Sequence, residues 1–108
     1  MITAKVLKDH KGIIQGFSVQ GHALFDRKGK DIVCSAVSIL TINTVNALEE
    51  FTKARFSLEQ EDGISLFFKD DPDEKAQLLI NTYLLGLQGI EKEYGDYFRL
   101  SVEEVWKC

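Results

Sequence analysis

Apolar and polar positions along this chain follow two different periods, and the changes of period mark its elements. Ile2, Ala4 and Val6 alternate with Thr3, Lys5 and Leu7, the period of a strand with one buried face. Asp9-His10-Lys11-Gly12 supplies turn residues and Ile13 to Gln20 is extended again, so the two runs predict a hairpin. Phe56 and Leu58, the Asp62-Gly63 turn, and Ile64, Leu66 and Phe68 at period two predict a second. A last strand runs from Tyr97 to Trp106, with Phe98, Leu100 and Val102 on one face and Trp106 packed at the sheet's end. Its parity breaks at Val105, where a bulge or the strand's end is expected.

Between these runs the period lengthens to that of helices. Val33, Ala36, Val37, Leu40, Thr44, Ala47, Leu48 and Phe51 fall at spacings of three and four, the stripe of a helix laid on a sheet. Asp31 stands where its N-cap belongs. The second helix opens on Asp71-Pro72-Asp73-Glu74, a capping-box spacing with proline at the first helical position, and stops near Gly95. Ala76, Leu79, Ile80, Tyr83, Leu87, Ile90 and Tyr94 form its buried face, and Gly86 and Gly89 read as sites of close packing. The order ββαββαβ predicts a two-layer α+β fold, a mostly antiparallel sheet with two helices, as a single domain over residues 1–108.

The first helix is more apolar than one sheet can use. Ile39, Ile42 and Val45 fall roughly 120 to 180° from the centre of its stripe. A homodimer interface is the expected cover, with packing under the second helix or a loop as the alternative.

Composition narrows the class. The chain has 108 residues, 44% hydrophobic and 28% charged, with two cysteines, enough for one core without a metal or disulfide. No unbroken apolar run approaches the ~20 residues of a membrane helix. Met1 to Leu7 is too short and too polar for a signal peptide. A soluble cytoplasmic protein with no membrane partner is the expectation. The formal charge of -4 argues against direct nucleic-acid binding and for a basic protein segment as partner.

In a reducing compartment both cysteines are thiols, and they differ in place. Cys108 is the last residue, whereas Cys34 falls in the predicted first turn of the first helix and His22 just past the second strand. Unpaired N–H groups at a helix start favour the thiolate that attacks a carbonyl. Cys34 sits about 100° from the centre of the buried stripe, on the flank of Thr41 and Ser38, which favours exposure. Against this, cysteine often only fills space in a core. Asp31 reads as a cap or as a group orienting His22, and Ser38 as a hydrogen-bond partner of the sulfur or as back-bonded to the Cys34 carbonyl. Residues 23–30, with Arg27, Lys28, Gly29 and Lys30, read as a gate or as a solvated connection. Leu24 and Phe25 either line a pocket or tuck under that loop. The acids Asp70, Asp71, Asp73 and Glu74 read as helix capping with a solvated face rather than a metal site, and His10 as a turn residue.

Gly21-His22-Ala23, followed after a short loop by Asp31-Ile32-Val33-Cys34-Ser35-Ala36-Val37-Ser38, resembles the signature of the ribosomal-processing cysteine protease family, Prp. Length, element order, the His-to-Cys spacing and the acidic start of the second helix agree with it, and Ser35 stands where that family commonly has alanine. The resemblance implies a small cytoplasmic homodimer that removes a short N-terminal extension from large-subunit ribosomal protein twenty-seven, cutting after an aromatic pair. It places the catalytic dyad on His22 and Cys34, matches Gly21, Asp31 and Ser38 to supporting positions, and implies no metal and no other cofactor. On that reading Cys34 attacks the scissile carbonyl, His22 protonates the leaving amine, and N–H groups at the helix start, that of Cys34 included, hold the oxyanion. The alternative is a non-catalytic module of ribosome assembly that binds the same kind of segment, with Cys34 as packing.

Overall fold

Seven elements follow one another as expected: β1 (Ile2–Lys8), β2 (Ile14–Gln20), α1 (Lys30–Phe51), β3 (Phe56–Glu59), β4 (Ile64–Phe68), α2 (Glu74–Tyr94) and β5 (Phe98–Glu104). The computed structural model describes residues 1–21 and 30–105, with only the backbone of residues 30 and 31; the expectations for Trp106 and Cys108 lie outside them. The five strands form one sheet in the order β3-β4-β2-β1-β5. Three pairings are antiparallel and one, β1 with β5, is parallel. A helical crossover precedes β5, and such a connection allows a strand to run the same way as its neighbour.

Strand parity decides which side chains are buried. Ala4, Val6, Phe17, Val19, Leu66 and Phe98 face the helices and belong to the core. Lys5, Phe67 and Arg99 stand on the other face and are exposed. Val102, expected on the buried face, is exposed, and β5 ends at Glu104, just before the parity break at Val105. The first turn forms around Asp9, whose Oδ1 accepts the N–H groups of Lys11 (2.9 Å) and Ile13 (3.0 Å), and His10 is an exposed residue of it. On the outer edge of β5, the N–H of Leu100 is taken up by Glu91 Oε2 of α2 at 2.7 Å.

The start of α2 differs in detail from the sequence expectation. Asp73 is the N-cap, its Oδ1 accepting the Ala76 N–H at 2.9 Å. Pro72 therefore precedes the cap instead of opening the helix, and Asp71 has another role, accepting from Gln15 Nε2 at 3.2 Å. The extended backbone of Asp73 (ψ -176) and its bond to the Ala76 N–H set the start of the helix at Glu74. Asp70 pairs with the exposed Arg55 at 2.9 Å, an arrangement of little energetic weight.

The buried stripe of α1 is rotated from the expected one. Val33, Val37, Thr41, Thr44, Val45 and Leu48 are buried, Ala36, Leu40 and Ala47 are half-buried, and Phe51 is exposed. Thr41 and Val45 thus join the core that Phe51 leaves. Two contacts from α2 explain the rotation. The Tyr83 hydroxyl lies 2.8 Å from Thr41 Oγ1, which satisfies a buried threonine. Gly86 admits Leu40 so closely that an added Cβ would stand 2.7 Å from Leu40 Cδ2, whereas Gly89 faces open space and has no such role. Leu84 joins the buried face of α2, and Tyr94, 36% exposed, leaves it.

Residues Ile32–Phe51, with a mean hydropathy of 1.5, are long and apolar enough by length and composition to cross a membrane. This corrects the expectation drawn from unbroken runs, because Asn43, Asn46 and the threonines interrupt the apolar pattern without lowering its mean much. In the fold the segment lays one face on the core.

Candidate active site

Gly21 follows the last residue of β2 and lies against the backbone of Met1 and Ile2. Gly21 has φ +87, a left-handed conformation that L side chains rarely adopt, and a Cβ there would overlap the Met1 carbonyl oxygen. Glycine is therefore required at the residue before His22 on conformational and steric grounds alike. Gly63 of the β3–β4 turn does the same for the next strand: φ is +116, and a Cβ would run into the Val19 carbonyl oxygen. Two close backbone approaches thus fix the end of β2. Gly21→Ala is expected to lower the melting temperature by roughly 5–10 °C and to reduce cleavage, checked by calorimetry and a peptide assay on the same sample.

His22 lies outside the described residues, as do Leu24, Phe25, Arg27, Lys28, Gly29 and nearly all of the 23–30 loop. Cys34 is described. It is a thiol, half-buried, and packed against the core. This falls between the two readings of the sequence, and the rotation of α1 is the cause: with Thr41 buried, the flank carrying Cys34 turns partly inward. Ser38, one turn on, is half-buried as well.

Helix α1 begins at Lys30, so Asp31 stands inside the first turn instead of capping it. Cys34 is the fifth helical residue rather than a member of that turn. Its N–H comes opposite the Lys30 carbonyl in the helical ladder. The sequence expectation that the Cys34 N–H serves as an oxyanion donor is revised accordingly.

Clefts among the described residues divide between the two ends of the molecule. The larger ones, about 600 and 440 Å³, lie at the far end of α1 around the exposed Phe51. A smaller cleft of about 150 Å³ lies beside the end of β2, lined by Gln20, Glu59, Glu61, Asp62, Gly63 and Ser65. What the sequence did not reveal is the Thr41–Tyr83 contact, two helical turns beyond Cys34; its signals were a threonine inside an apolar helix and a tyrosine on a buried face.

Known proteins share both sequence and fold. The family model described as cysteine protease Prp matches residues 1–99. The ribosomal processing cysteine protease Prp of Bacillus subtilis (strain 168) is 34% identical over 108 residues, covering 94% of this chain and 96% of the relative. That of Staphylococcus aureus (strain Mu50 / ATCC 700699) is 33% identical over 104 residues, covering 94% and 98%. The solved structure of the S. aureus protease with a covalently linked product peptide superposes with a TM-score of 0.85 at 30% identity, over 94% of this chain and 99% of that one. These matches decide against a non-catalytic module. The chain belongs to the cysteine protease Prp family and is a cysteine protease.

Proposed function

We propose that this protease removes the short N-terminal extension of large-subunit ribosomal protein twenty-seven, cutting after an aromatic pair, with Cys34 as nucleophile and His22 as acid and base. The observation that carries the reading is the match to Prp over residues 1–99, which includes the Gly21-His22-Ala23 segment and Cys34. The peptide bound covalently in the S. aureus structure supports a thioester route for this chain. The Cys34 thiolate adds to the scissile carbonyl, and the oxyanion is held by the first-turn N–H groups of α1 that have no helical partner. His22, as the imidazolium, gives its proton to the departing amine, and the C–N bond breaks to leave a thioester. The neutral imidazole then takes a proton from water as the water attacks, and collapse releases the carboxylate product and the thiolate. Gly21 sets the backbone that presents His22, Asp31 orients the imidazole or stabilises the first turn of α1, and Ser38 supports the sulfur. Incubating the protein with the extended precursor and reading intact masses tests the reading. Loss of the extension after the aromatic pair is expected; an intact precursor after binding overturns it.

The working unit in this reading is a cytoplasmic homodimer. Ile32, Ile39 and Ile42 are exposed on α1, and no charged residue stands between Asp31 and Glu49. A second copy of the same uncharged helix face is the cover that fits it best. Sedimentation of the wild type at micromolar concentration is expected to give a dimer, and Ile39→Glu with Ile42→Glu a monomer. A monomeric wild type removes the idea.

A further inference from the structure

Tyr83 touches both of the elements that lead to the candidate site. Its ring packs against Phe17 of β2, with centroids 4.6 Å apart and planes at 50°. Its hydroxyl lies 2.8 Å from Thr41 Oγ1 of α1. From Phe17 the chain runs five residues to His22, and from Cys34 it runs seven to Thr41. Seven residues are two helical turns, so Cys34, Ser38 and Thr41 form one column along α1. Thr41 is 0% and Tyr83 1% exposed.

Two α2 contacts constrain α1 in different ways. Leu40 against Gly86 sets how close the helices come, but apolar contacts tolerate a small rotation because side chains repack around it. A hydrogen bond between two buried hydroxyls is directional and leaves the Tyr83 hydroxyl unsatisfied if the helix turns. The Phe17 contact refers that rotation to the central strand.

We propose that Tyr83 is a positioning residue for the protease: holding Thr41 through its hydroxyl and Phe17 through its ring, it fixes the rotation of α1 against β2 and so the direction in which Cys34 is presented. The proposal rests on the reading of Cys34 and His22 as the dyad. The buried hydroxyl remains neutral, since burial pushes its pKa well up and the hydrogen bond with Thr41 only partly offsets this, so its role does not vary with pH around neutrality.

Thr41→Val, Thr41→Ser, Tyr83→Phe and Cys34→Ala should be compared with wild type on a fluorogenic peptide spanning the extension and its aromatic pair. Cooperative melting serves as the check of folding. Iodoacetamide labelling of Cys34, read by peptide mass spectrometry, follows the thiol directly. Thr41→Val and Tyr83→Phe are expected to lower kcat about tenfold, the scale of a small misalignment of reacting groups, with KM changed less than about twofold. Thr41→Ser keeps the hydroxyl and should restore kcat to within about twofold of wild type. The pair Thr41→Val with Tyr83→Phe should be no slower than the worse single variant, because both remove one interaction. In Tyr83→Phe the Thr41 hydroxyl can turn to a carbonyl of its own helix, so this variant carries the test if Thr41→Val does not fold. Wild-type kcat in folded Tyr83→Phe, or Thr41→Ser as slow as Thr41→Val, overturns the positioning role while leaving the dyad intact. Cleavage by Cys34→Ala overturns the dyad and the proposal with it.

Discussion

Cys34→Ser is expected to lower kcat/KM for the precursor peptide by about a thousandfold or more, while the melting temperature moves by only a few degrees. The two outcomes separate chemistry from packing. A serine is nearly the same shape as cysteine, and Cys34 is only half-buried, so the exchange opens little cavity. Its hydroxyl is a far weaker nucleophile at neutral pH than a thiolate, and nothing in a thiol site is arranged to deprotonate it. Losing a nucleophile typically leaves only the part of catalysis due to binding and oxyanion stabilisation. His22→Ala should give a loss of similar size and slow the alkylation of Cys34, because the two act as one unit; the double variant should be little worse than either single. Steady-state kinetics with quantified folded protein checks these points. Near-normal kcat/KM in Cys34→Ser would assign the nucleophile elsewhere, and a large drop in melting temperature would return Cys34 to the core.

The second large effect concerns stability. Phe17→Ala is expected to cost about 3–5 kcal/mol, out of the 5–15 kcal/mol typical of a whole domain. Phe17 is fully buried, lies in the middle strand of the sheet opposite Val6 and Leu66, and carries the Tyr83 ring on its face. No neighbour can close the space without moving a strand. The melting temperature should fall by roughly 15 °C or more. Phe67→Ala is the contrast, since Phe67 points to the opposite face of β4 and is 40% exposed; a loss of about 1 kcal/mol is expected, since the ring is already half in water. Thermal denaturation of both variants checks the pair. Equal losses would contradict the assignment of the two sheet faces.

Strand parity made much of this architecture readable in advance. Ile2, Ala4 and Val6, or Ile64, Leu66 and Phe68, can occupy one face of a strand only if it is extended, and the Asp9 and Asp62-Gly63 turns close the hairpins with residues suited to them. The parallel placement of β5 beside β1 was not readable, because period two gives the face of a strand and says nothing of its neighbour. The setting of α1 was misjudged for a related reason. Thr41 looks polar in the sequence, and only a hydroxyl from α2 makes it a core residue, which in turn carries Val45 inward and Phe51 out. Asp73 rather than Asp71 caps α2, and Asp71 is engaged instead by Gln15, a partner 56 residues away in the sequence. At the candidate site the spacing of His22 and Cys34 and the glycine before His22 were legible in the chain. The half-burial of Cys34 was not, since it follows from how α2 turns the helix.

The parallel pairing of Ile2 with Phe98, and of each following residue of β1 with its counterpart in β5, joins segments from nearly opposite ends of the chain. Contacts of such long separation require loop closure before they return any stability, which slows folding. Until β5 forms, β1 keeps one edge unpaired, and an unpaired strand edge is a template for pairing with another chain. The sheet that carries the end of β2 is complete only when these distant segments have met, so its closure depends on one of the longest-range pairings in the fold.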